Sequence, residues 1–100
     1  MARRVTSSEL DTIVRKKRQP ATILFFGDWC VDCRLFRPVW ESWSKRQKDT
    51  ILMVEVLRGG PEWEEWQIEE IPTVARFDQG EEKARVAGMI SKDDLDQLKR

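Results

Sequence analysis

The chain has 100 residues, which suits one domain, and a chain of that length buries roughly 60–70% of its unfolded surface, enough for one core but not two. Its 18 basic and 18 acidic side chains cancel, so no net field draws it to nucleic acid or to a membrane surface. It has no His, which excludes Ser-His-Asp and Cys-His nucleophiles and removes the commonest metal ligand. Its 2 Cys are too few for a zinc site within one chain. One domain spanning 1–100 is therefore expected, with no metal and no cofactor.

No apolar run approaches the ~18 residues of a membrane span. The basic start (Met1, Ala2, Arg3, Arg4) runs directly into Thr6, Ser7, Ser8 and Glu9, without the apolar stretch of a signal peptide. A cytoplasmic location is the expectation, and there paired cysteines tend to be catalytic or metal-binding rather than structural.

Taken in chain order, Val5 marks at most a short first strand. Ser8 with Asp11 fits a capping box ahead of Leu10, Ile13 and Val14 at helical spacing. That helix ends in Arg15-Lys16-Lys17-Arg18, whose charge suits a helix C-terminus. Ala21 to Phe26 is a short apolar run, as a buried strand requires. After Gly27-Asp28-Trp29-Cys30 a second helix runs from about Asp32 to Lys48, with Cys33, Phe36, Trp40 and Trp43 on its inward stripe and Pro38 interrupting it.

Ile51 to Leu57 is the next buried strand, broken only by Glu55, and Pro61 to Ile68 is a short acidic helix. Thr73–Phe77 and Lys83–Ala87 form a hairpin through Asp78-Gln79-Gly80-Glu81. Ser91 with Asp94 caps a last helix from about Lys92 to Lys99. This order predicts an α/β fold. Its mixed central sheet has parallel strands joined by helical crossovers plus a C-terminal antiparallel hairpin, with helices on both faces.

Cys30-Val31-Asp32-Cys33 is a C-x-x-C motif placed after a strand and opening a helix, which reads as a redox pair. One helical turn brings the sulfurs together, and the helix start supplies free N–H groups and partial positive charge, which favour a thiolate, the species that attacks disulfides. The alternatives are a zinc half-site completed by another chain, a structural disulfide closing a loop too short to stabilise much, or two unreactive core thiols.

With its neighbours, the motif resembles the thioredoxin family along nearly the whole chain. Ile23 to Arg34 looks like the strand, turn and W-C-x-x-C site, Pro38 like the helix proline, and Ile71-Pro72-Thr73 like the cis-proline loop. Gly80 matches the hairpin glycine and Gly88 the glycine beside the substrate groove. The resemblance implies a thioredoxin fold and a redox-active Cys30–Cys33 disulfide, with Cys30 as the exposed nucleophile and Cys33 as the buried resolving thiol. It further implies Trp29 as a cover, and a cis Pro72 aiming the Ile71 backbone at a bound strand.

The sequence departs from the family at three places. Val31-Asp32 stands between the cysteines where Gly-Pro is usual, and resembles the W-C-P-D-C group of narrower substrate range. Asp32 either takes part in substrate choice or is simply an acid suited to the helix start. Leu24 replaces the family's buried acid. Glu55 stands where the family usually has Lys. It is expected either to face the cavity beside Cys33 and relay its proton, or to point to solvent or pair with Arg58. The acidic segment Glu62 to Glu70, with Trp63 and Trp66, either rims the site or is a solvated helix with Trp66 in the core.

The function expected is a protein-disulfide reductase in cell redox homeostasis, monomeric, kept reduced by a thioredoxin reductase or similar donor. The alternatives are a disulfide oxidase or isomerase, and a non-catalytic binding module on the same scaffold.

Overall fold

The computed structural model describes residues 2–100; Met1, the first residue of the expected 1–100 domain, lies outside them. The elements are β1 (Arg3–Arg4), α1 (Ser7–Asp11), a wider π-helical turn (Thr12–Lys16), β2 (Ala21–Phe26), α2 (Val31–Lys45), β3 (Thr50–Glu55), α3 (Glu62–Glu65), β4 (Thr73–Asp78), β5 (Glu81–Ala87) and α4 (Lys92–Leu98). The 5 strands lie in the order β1-β3-β2-β4-β5. β1, β3 and β2 are parallel, and β4 and β5 are antiparallel. The α/β sheet expected from the alternation of elements is the one observed.

Strand alternation sorts the β2 side chains. Leu24 and Phe26 face α2 and line a cavity with Cys33. Phe25 faces the opposite side, where it meets Trp66 at 5.9 Å between ring centroids. Trp66 in turn donates from Nε1 to Ser7 Oγ at 2.7 Å, so α1 closes that face. The α2 face is closed by α4, through Trp43 Nε1–H donating to Asp96 Oδ1 at 2.9 Å. Trp66 is thus a core residue, whereas Trp63, three residues earlier, is only partly buried and packs beside Trp29.

The first helix departs from expectation. Its cap is Thr6, whose Oγ1 accepts from the Glu9 amide while Glu9 Oε1 accepts from the Thr6 amide. Thr6/Glu9 and Ser8/Asp11 satisfy the same spacing rule. The earlier cap forms because the buried Val5 is already tied to the sheet, its N–H donating to the Met53 carbonyl at 2.8 Å. The helix then loosens to i→i+5 bonding, Lys17 N–H to Thr12 O, and ends at Arg18 in the left-handed region (φ 57). α2 ends three residues before the expected Lys48, α3 is shorter than Pro61–Ile68, and the cap at Ser91/Asp94 forms as expected. The hairpin turns through Gln79 (φ 56) and Gly80 (φ 83), the left-handed pair that a two-residue connection needs.

Trp40 and Trp43 are both fully buried and stack at 5.7 Å. They differ in one respect: Trp43 Nε1 is bonded to Asp96, while Trp40 Nε1 has no partner among the described residues. Truncating each to Phe removes similar apolar area, but only Trp43→Phe breaks a hydrogen bond, the one to the half-buried Asp96. Urea unfolding is expected to show Trp43→Phe as the more destabilised variant by about 1 kcal/mol. Equal losses would mean that the Asp96 bond adds nothing.

Candidate active site

The site is built where β2 ends and α2 begins. Cys30 is the N-cap of α2, in extended conformation (φ −93, ψ 114), and its sulfur occupies the place of a capping oxygen. The Cys33 amide donates to Cys30 Sγ at 3.1 Å, satisfying one of the helix's free N–H groups. On its other side the Cys30 thiol points at the Ile71 carbonyl at 3.7 Å. Ile71 precedes Pro72, and the bond between them is cis. The Pro72 carbonyl accepts from the Gly88 amide at 3.0 Å, which joins the proline loop to the loop after β5. Cys30, Cys33, Ile71, Pro72 and Gly88, singled out along the sequence, thus come together at one end of the sheet.

Trp29 lies across Gly27. A Cβ at Gly27 would stand 2.8 Å from the indole and 3.0 Å from Ile71 Cδ1, so only glycine lets this ring lie flat here. The indole Nε1–H donates to the Val56 carbonyl at 3.2 Å. The ring is partly buried and packed against the core.

Exposure does not separate the two thiols as the family resemblance implies. Cys30 is 8% exposed and Cys33 7%. Cys30 is drawn in because its sulfur serves as the helix cap and meets the Ile71 carbonyl. What separates them is their surroundings. Cys33 sits in a cavity of about 120 Å³ with Leu24, Phe26 and Met53 at its apolar wall and Asp28, Arg34 and Arg37 around it. Burial is the main cause that pushes the Cys33 thiol up from 9.0 to about 12. Its hydrogen bond with Cys30 and the charges of Cys30 and Asp32 act the same way, and a bond involving the Gly27 backbone opposes them.

The expected proton relay is not assembled. Glu55 pairs in register with Phe26 but lines a different groove, with Arg4, Val5, Thr6 and Glu62, and it is absent from the residues around Cys33. Nor does it pair with Arg58, whose guanidinium lies over the Trp29 ring at 4.7 Å. The carboxylate is carried to the β1 side of β3, where the very short β1 leaves room for it. Asp32 is exposed in the first turn of α2 and lines a groove of about 390 Å³ with Leu35, Phe36, Val39 and the Gly88–Ser91 loop.

That groove carries residues the sequence reading passed over. Leu35 and Met89 are exposed apolar side chains, Met89 at 99%. Leu35 and Val39 lie four apart and off the buried stripe of Cys33, Phe36, Trp40 and Trp43. That spacing is a signal of a second apolar face on α2. For Arg58 the sequence held no such signal.

A capped dithiol at a helix start, facing the carbonyl of the residue before a cis proline, is the site of a thiol–disulfide oxidoreductase built on an α/β sheet. The thioredoxin family model matches residues 2–99. Among curated relatives, thioredoxin of Rickettsia bellii is 31% identical over 97 residues, covering 95% of this chain and 92% of its own. Thioredoxin of Mycoplasmoides gallisepticum is 29% identical, covering 91% of each chain. The solved structure of oxidized thioredoxin O2 from Arabidopsis thaliana superposes with a TM-score of 0.79 at 25% identity, over 99% of this chain and 95% of that one. The chain belongs to the thioredoxin family. It is a protein-disulfide oxidoreductase whose dithiol is Cys30 and Cys33.

The high Cys33 value sets a pH dependence of stability. A thiol held neutral in the fold and free to ionise at 9.0 when unfolded stabilises the fold fully below pH 9.0, and that contribution is lost as pH rises toward about 12. Denaturant titration of the reduced protein against Cys33→Ala is expected to shift in the variant's favour by about 1 kcal/mol by pH ~10. A constant difference between pH ~7 and pH ~10 would show that the buried thiol ionises normally.

Proposed function

We propose that Cys30 is the attacking sulfur and Cys33 the resolving one in a cycle that reduces disulfides of other proteins in the cytoplasm. The observation that carries this assignment is the Cys33 amide aimed at Cys30 Sγ, with the Ile71 carbonyl on the sulfur's other side. A donor at the sulfur suits a thiolate, and a carbonyl beside it suits an extended substrate strand that hydrogen-bonds to the loop.

In the first step the Cys30 thiolate attacks one substrate sulfur. The substrate S–S bond breaks, a Cys30–substrate disulfide forms, and the departing substrate thiolate takes up a proton. In the second step Cys33 gives up its proton and attacks Cys30 Sγ. The Cys30–Cys33 disulfide forms and the second substrate thiol leaves with a proton. The substrate gains two electrons from the dithiol and two protons, one from Cys33 and one from the solvent that took up the Cys30 proton. A thioredoxin reductase or similar thiol donor restores the dithiol. Leu24 offers no carboxylate to take the Cys33 proton, and Asp28, the acid in the cavity lining, is paired with Arg4 at 3.6 Å, so the leaving sulfur receives it. Trp29 and Pro72 shape the approach to Cys30, Gly88 keeps the neighbouring loop low, and Asp32 tunes the groove side.

Cys30→Ser is expected to abolish reduction of a protein disulfide such as that of insulin. Cys33→Ser is expected to accumulate a covalent substrate complex that dithiothreitol releases, visible on a non-reducing gel. A complex trapped by Cys30→Ser instead would reverse the two roles. Equilibration in graded thiol buffers is expected to give a reduction potential near the about −270 mV known for thioredoxin, and a value at roughly −180 to −120 mV would move the protein to the oxidases and isomerases.

A further inference from the structure

We propose that Arg58 reads the charge of the substrate beside its disulfide, favouring a carboxylate on the Trp29 side of Cys30. The proposal rests on the reductase reading above and adds to it a class of substrate. The guanidinium of Arg58 lies over the Trp29 ring at 4.7 Å from its centroid, and Trp29 adjoins Cys30 in the chain. Stacking on an indole uses the flat face of a guanidinium and leaves the N–H groups at its edge free to bind a carboxylate. Arg58 is in no salt bridge among the described residues, unlike Arg4, Arg15, Arg37, Arg76 and Arg85.

The backbone that leads into Arg58 is held by two indoles. Trp29 Nε1–H donates to the Val56 carbonyl at 3.2 Å, and Trp63 Nε1–H donates to the Leu57 carbonyl at 2.9 Å. The Leu57 amide donates to Glu62 Oε1 at 3.3 Å, which ties the first residue of α3 to the same segment. A charge held in place before binding loses little freedom when a partner arrives. The opposite side of the site carries the opposite sign. Asp32 lines the groove with Gly88, and Glu70 lies against Gly88, its Oε1 3.2 Å from where a Cβ there would stand. A substrate strand passing between the two walls meets a cation at one end and two carboxylates at the other. The site thus favours one polarity of charge along the strand and disfavours the reverse.

The test uses short peptides with one cysteine held as a mixed disulfide with 2-thiopyridine, and with Glu or Lys just before or just after that cysteine. Release of 2-thiopyridone by the reduced protein gives kcat/KM for each. Comparing Glu with Lys peptides within one protein cancels any difference in folded fraction between variants. The wild type is expected to prefer Glu over Lys by about fivefold on one flank, and the preference is expected to shrink in high salt. On that flank Arg58→Met should bring the ratio to about one and Arg58→Glu should invert it. A ratio near one in the wild type on both flanks overturns the proposal and leaves the reductase reading intact, as does a Glu preference that survives Arg58→Met. Failure to release thiopyridone from any peptide overturns the reductase reading itself.

Discussion

The hydrogen bond from the Cys33 amide to Cys30 Sγ joins two requirements in one contact. A helix start needs an acceptor for its free N–H groups, and a nucleophilic sulfur needs a donor. Cys30 meets the first and, in the proposed cycle, the second as well, so the atom that caps α2 is also the proposed attacking sulfur. The C-x-x-C spacing follows from this geometry, because the cap accepts from the residue three positions on. The rest of the fold fixes where that helix start points. Parallel pairing with β3 and antiparallel pairing with β4 hold β2 at the sheet's centre, and α2 is pinned behind it by Trp40, Trp43 and α4.

The two cysteines end up equally covered yet in different environments. Cys30 lies between an amide and a carbonyl on the side where loops meet. Cys33 faces Leu24, Phe26 and Met53 in a small cavity, and loss of water there holds its proton tightly. In the resolving role proposed for it, a thiol with a tightly held proton stays quiet until a neighbouring sulfur is within reach and can accept that proton. In this chain Leu24 stands at the cavity wall, and the acid of the lining, Asp28, is paired with Arg4 at 3.6 Å. Glu55 does not add a second, since β3 carries it past the cavity to the β1 edge.

The surface around the dithiol is uneven. One wall is Trp29 with Trp63 behind it and Arg58 above it. The other is the groove of Leu35, Val39 and Met89, with Asp32 and Glu70 at its rim. Apolar area next to a nucleophile supplies affinity with little direction, whereas fixed charges of opposite sign on the two walls supply direction. The acidic α3 segment belongs to both the core and the rim: Trp66 fills the space beside Phe25, while Trp63 and Glu62 hold the loop that carries Arg58.

By itself, the sequence determined the local and periodic features. These were the order of helices and strands, the inward stripe of α2, the hairpin turn at Gly80, the cap at Ser91, and the dithiol with its proline loop. All but the last depend on residues a few positions apart, which short-range chemistry states directly; the proline loop was joined to the dithiol through the family resemblance. Only the tertiary structure decided which of two equivalent capping pairs starts α1, because the choice depends on where Val5 meets β3. It alone decided that Cys30 is as buried as Cys33, that Glu55 misses the cavity, and that Arg58 lies on Trp29. These are contacts between elements 25 or more residues apart, set by strand register and by the length of β1, and no local pattern in the chain encodes them.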